Sequence, residues 1–171
     1  MIGHMLGCSS PRLSSVMLFG YLALAFSGTV PAQTVPAPTV NPEIVASERA
    51  IIAESFVAEK LWFWQRHLSL QEWNVSIIFA RTSDLKPKTL GNIHWDKDKK
   101  TAIIRVLDMA DYHMPFQEML QDMEFTVVHE LIHLELAPAL SQFSRSDASR
   151  REEEHAVNHV ASALIKLQRG K

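Results

Sequence analysis

The sequence predicts an α+β domain, and three observations lead there. Residues 42–68 follow a helix-start signal with apolar residues at helical spacing. Residues 73–107 hold three short segments, alternating or rich in β-branched residues, separated by turn signals. Residues 115–168 return to helical patterning. Helices on either side of a run of strands give an α+β order rather than an alternating α/β one.

The N-terminal forty residues stand apart from the rest. Arg12 is the one charged residue up to position 32, and SSVMLFGYLALAF follows it as an apolar run. That run is shorter than the roughly 20 residues a membrane-spanning helix needs. A basic residue, a short apolar core and the small residues Val30-Pro31-Ala32 fit a signal peptide over 1–32, cleaved after Ala32. QTVPAPTVN then reads as an extended linker over 33–41 leading into the domain. The expected location is secreted or periplasmic, with no membrane span after the leader is removed. The single cysteine, Cys8, lies in the leader, so the mature chain offers neither a disulfide nor a thiolate ligand.

The domain itself is expected over 42–171. Asn41-Pro42-Glu43 opens the first helix: Asn caps, Pro suits the first turn, and Glu favours the positive helix end. Ile44, Ile51, Ile52, Phe56 and the LWFW cluster supply its apolar face. Trp73, Val75, Ile77 and Phe79 then alternate with Asn74, Ser76 and Ile78, a strand pattern. GNIHW (91–95), the turn DKDKK and TAIIRVL (101–107) complete an expected three-stranded antiparallel meander. Pro115 opens a second helix that stops near Ala137-Pro138. A last helix covers 150–168, with Ala156, Val157, Val160, Ala161 and Leu164 inward. The four tryptophans, Trp62, Trp64, Trp73 and Trp95, read as core.

Hydrophobic residues make up 47% of the chain and charged ones 21%, which suits one globular domain. The formal net charge of −2 is spread in mixed signs, and no basic cluster falls on one helical face. Nucleic acid is therefore not an expected partner.

Chemistry concentrates in VVHELIHLEL, residues 127–136. On a helix, His129 and His133 share a face one turn apart, about 6 Å between their Cβ atoms. They can aim two imidazole nitrogens at one metal ion. Glu130 sits roughly 100° round from His129. That is too far to ligate and close enough to serve a metal-activated water as general base. The surrounding Phe125, Val127, Val128, Leu131, Ile132, Leu134 and Leu136 make the helix apolar on nearly all sides. Buried polar groups there are costly unless matched, and a metal matches them.

This HELIH segment resembles the zincin metallopeptidases. The metzincin continuation needs a glycine and a further histidine where this chain has Leu136 and Ala139, and peptide deformylases use a cysteine ligand. The gluzincin branch remains, in which a glutamate on a later helix completes the metal site and an Asp or Asn one turn on supports the first histidine. EEEHAVNHVA (152–161) is similar to that element. The resemblance thus implies metal ligands His129, His133 and Glu154, support from Asn158, Zn2+ as cofactor and Glu130 as the catalytic base. Glu153 is the second candidate for the third ligand. Tyr112, His113, His155 and His159 are candidates for stabilising an oxyanion. The order of helix, strands, active-site helix and ligand helix is that of a minimal zincin. The implied activity is hydrolysis of peptide or protein substrates, with one edge of the sheet pairing with extended substrate. The competing reading is a non-catalytic zinc module, structural or regulatory, in which the same site joins two helices.

Overall fold

The structure is a computed structural model and describes residues 42–87, 89–144 and 146–170. The expected leader with Cys8, the linker and the capping Asn41 lie outside the described residues. Six main elements follow in chain order: α1 (Pro42–His67), β1 (Asn74–Ala80), β2 (Gly91–Asp96), β3 (Thr101–Leu107), α2 (Phe116–Leu140) and α3 (Asp147–Gln168). Three helices and one three-stranded sheet make the domain α+β. Among the described residues no helix is long and apolar enough to cross a membrane.

The sheet is mixed, which corrects the expected meander. Strand order is β1-β3-β2, with β1 parallel to β3 and β2 antiparallel to it. β3 takes the centre, paired on both sides, and buries Ala102, Ile104, Val106 and Leu107. β2 carries Gly91, Asn92 and His94 and suits an edge. Residues 81–90 pass over the end of β3. The crossing is pinned on both sides: Asp108 N donates to Ala80 O at 2.8 Å and Leu107 N to Leu90 O at 2.9 Å. The β2–β3 turn is held by Asp96 Oδ1, which accepts from the backbone of Asp98 and Lys99, and Lys100 takes a left-handed φ of 51°.

α1 buries a narrower face than its composition suggests. Ala53, Val57 and Trp64 are buried and, with half-buried Lys60, recur at i, i+4, i+7 and i+11. Ile44, Ile51 and Ile52 are exposed, since they sit round from that stripe. Trp62 is 61% and Trp95 40% exposed, whereas Trp64 and Trp73 are core. α3 starts three residues earlier than expected because Ser146 caps it, its Oγ accepting from Ser149 N at 3.1 Å. It buries Val157, Ala161 and Ile165, while Ala156 and Val160 are exposed. α2 runs through Pro138 to Leu140. A proline in the last turn forfeits only one backbone bond, and Ser141 closes the end onto Ala137 O and Pro138 O.

α2 is the centre of the domain and buries residues on several faces: Met119 and Met123, Val127 and Val128, Leu131 and Leu134. Its Glu124 is 2% exposed and is matched from two other helices. Trp64 Nε1 donates to it at 3.0 Å, Arg169 Nη2 at 2.6 Å, and Lys60 Nζ stands at 3.7 Å. One buried carboxylate thus ties α1 and the end of α3 to α2. Removing it strands Arg169 and the Trp64 N–H. Glu124→Ala is expected to lower stability by about 3–5 kcal/mol, read by urea denaturation followed by circular dichroism.

β2 approaches α2 closely. A methyl group at Gly91 would stand 2.4 Å from Thr126 Cγ2 and 2.7 Å from Arg105 O. Neither neighbour is the far end of a flexible chain. Gly91→Ala is therefore expected to destabilise by about 1–3 kcal/mol, with partial recovery when Thr126→Ser removes the clashing methyl. Paired unfolding curves of the single and double variants check this.

Candidate metal centre

The two imidazoles converge because α2 stacks them one turn apart on the face that meets α3. His129 Nε2 and His133 Nε2 lie 3.0 Å from each other. Glu154, on α3, places Oε2 at 3.2 Å from His129 Nε2 and Oε1 at 3.3 Å from His133 Nε2. These three residues form the group whose ligand atoms lie close enough together to hold a metal ion.

The far side of each ring is held as well. His129 Nδ1 donates to Asn158 Oδ1 at 3.1 Å, and His133 Nδ1 donates to Glu153 Oε1 at 3.0 Å. An acceptor behind each ring puts the proton on Nδ1 and leaves the Nε2 lone pairs facing inward. Two lone pairs and a carboxylate at this range repel one another unless a cation or proton sits between them. Burial first, and His133 second, lower the His129 pKa, so a proton is poorly held. A metal ion fits the distances. Bonds of about 2.0–2.1 Å at tetrahedral angles put neighbouring ligand atoms about 3.3 Å apart, against the 3.0, 3.2 and 3.3 Å seen here.

The two glutamates stand differently toward the rings. Glu154 faces the imidazole nitrogens, and Glu153, one residue earlier, reaches behind His133. Glu154 is largely exposed, whereas His129, His133 and Glu153 are nearly buried, so the centre opens to solvent on the Glu154 side.

Glu130 stands outside the cluster, as its place on the helix predicts. It is 6% exposed, with Oε1 directed at Gly91 of β2, 3.5 Å from where a Cβ there would lie. Burial, helped by the negative Glu154, pushes its pKa from 4.5 up to about 8, while Lys86 on the 81–90 crossing pulls the other way. No hydrogen bond or ion pair from the described residues neutralises it. A buried carboxylate without a partner is costly, and a cation at the neighbouring histidines offsets that cost.

The remaining sequence candidates lie elsewhere. The Tyr112 hydroxyl donates to Asp122 Oδ2 at 2.9 Å and is half-buried against the core. His113 is exposed. His155 and His159 are exposed and pack on each other, ring centroids 4.1 Å apart. His94 lines a shallow groove on β2 with Lys86, Asn92 and Arg105. Two features escaped the sequence reading. One is Glu153 as the partner of His133. The other is a cavity of about 140 Å³ beside His133, walled by Trp73 and Trp95. The strand alternation of GNIHW carried the signal for the second, since it puts Trp95 on the same face as Gly91 and Ile93.

Comparison with protein-family models, curated proteins and solved structures finds no match for this chain.

Replacing His129, His133 or Glu154 with alanine is expected to abolish stoichiometric metal binding. Asn158→Ala and Glu153→Ala are expected to weaken it by about 10–100-fold, because each frees a ring that its carbonyl or carboxylate now orients. Zn2+ titration against a competing chelator measures both effects.

Proposed function

We propose that this chain is a zinc-dependent peptidase with a minimal gluzincin-like site, working outside the cytoplasm once a leader over 1–32 is removed. The observation that carries the reading is the convergence of His129 Nε2, His133 Nε2 and Glu154 on the helix that also buries Glu130. The donor set of two imidazoles and one carboxylate suits zinc and leaves a coordination position for a reactant. A zinc ion bound there supplies Lewis acidity and makes water a stronger acid near neutral pH.

The chain's own groups do the rest. Glu130 is placed to accept a proton during attack on a carbonyl and to return it to the departing amine. Asn158 and Glu153 keep the two rings aimed inward throughout.

β2 supports an extended peptide as substrate. Among the described residues it is an edge strand, and it runs alongside α2 in the same direction. Gly91 lies at Thr126 and Glu130, and Trp95 shares a cavity with His133 and Ala137. Four strand residues cover about 13 Å and seven helix residues about 10 Å, so the two elements keep step. The bond from Leu107 N to Leu90 O sets the register. It turns the backbones of Asn92 and His94 toward β3 and those of Gly91, Ile93 and Trp95 toward the open edge. A peptide paired there lies next to Glu130 and His133.

Glu130→Gln keeps the shape of the side chain and removes the base. Hydrolysis of a labelled protein substrate is expected to fall by about 10²–10⁴-fold while zinc content stays at one per chain. Undiminished hydrolysis overturns the role of Glu130. Loss of zinc in this variant points instead to a structural site.

A further inference from the structure

The cavity beside His133 has the character of a side-chain pocket. Trp73 and Trp95 wall it from the sheet side; Ala137, Pro138 and Leu140 wall it from the last turns of α2; His133 closes one end. Ala137 follows His133 by one helical turn, and Glu153 borders the cavity from behind the His133 ring, so the cavity adjoins the histidine whose Nε2 faces the cluster. The two charged residues that also border it, Lys97 and Glu153, have opposite signs, so the apolar walls decide what enters. Trp73 is core and is braced by Lys100, whose Nζ lies 4.8 Å from its ring centroid. Trp95 is partly exposed on the open edge strand. One wall is therefore rigid and the other is reachable from solvent.

Size selects the occupant. The volume of about 140 Å³ is close to the roughly 150 Å³ of an apolar cavity that holds one benzene molecule. A leucyl, methionyl or phenyl side chain fills such a space, an indole is too large, and a methyl leaves it mostly empty. Alternate residues of a strand paired with β2 point toward α2, the side on which this cavity lies.

We infer that this cavity is the specificity pocket of the enzyme: it takes a leucine-, methionine- or phenylalanine-sized side chain of a peptide from a residue flanking the cleaved bond. The inference rests on the peptidase reading, and its test separates the two. Cleavage of a mixed peptide library, with products read by mass spectrometry, is expected to show enrichment of Leu, Met and Phe at one position beside the cut. Ala137→Phe fills the cavity and is expected to slow cleavage at those residues by at least about tenfold, with zinc content retained. Trp95→Ala widens it and is expected to shift the preference toward tryptophan; this second variant decides the matter if the first fails to fold.

A binding readout runs independently of turnover. N-acetyl-leucinamide is expected to change the tryptophan fluorescence of Glu130→Gln protein, N-acetyl-glycinamide to leave it unchanged, and Ala137→Phe to remove the response. Cleavage without side-chain preference, together with equal responses to the two amides, overturns the pocket and leaves the peptidase standing. Absence of cleavage with a selective response to the leucyl probe overturns the peptidase and keeps the pocket.

Discussion

Everything in this domain depends on a single constraint: α2 is surrounded by protein and yet carries ionisable groups. Glu124, His129, Glu130 and His133 lie on a helix that also buries Met119, Leu120, Met123, Val127, Val128, Leu131, Ile132 and Leu134. Each polar atom must find a partner inside the fold or raise its cost. The three helices are arranged around that requirement. Glu124 takes its partners from α1 and the end of α3, and the histidines take theirs from the first turns of α3. Val157, Ala161 and Ile165 pack α3 into the core, and Glu153, Glu154 and Asn158 on the same helix complete the histidine cluster.

The partnership is uneven, and the unevenness marks the site. Glu124 is matched by a full complement of cations and an N–H, as a structural carboxylate should be. Glu130, six residues later on the same helix, has none at bonding distance among the described residues and is pushed toward its neutral form. Perturbed groups of this kind collect where chemistry is done, and a neighbouring cluster able to hold a metal ion is a setting in which the perturbation has a use. A shortened distance between β2 and α2, permitted by the absent side chain at Gly91, brings the open strand edge up to that same carboxylate.

The mixed sheet matters for this reason. In a meander, β2 would lie between its neighbours and its backbone would be consumed by pairing. Passing residues 81–90 across β3 leaves β2 at the margin, next to α2, with half of its backbone groups turned outward. The same crossing carries Lys86 near Glu130. The strand order therefore decides whether the helix faces a closed sheet or an open edge.

Much of the site was legible from residue spacing. A 3.6-residue period puts His129 and His133 on one face and turns Glu130 away, and it gives Glu154 and Asn158 a common face, whatever surrounds them. Helix positions were legible for the same reason, since caps and periodicity act within a few residues. Spacing within a helix says nothing of how two helices are rotated and slid against each other. Only the docking of α3 on α2 decided that Glu154 meets the imidazole nitrogens while Glu153 reaches behind His133. Strand order, the exposed isoleucines of α1 and the split of the tryptophans into buried (Trp64, Trp73) and exposed (Trp62, Trp95) were decided at that level too. All of them depend on which distant segment packs on which face, and a residue's neighbours in sequence carry no record of its neighbours in space.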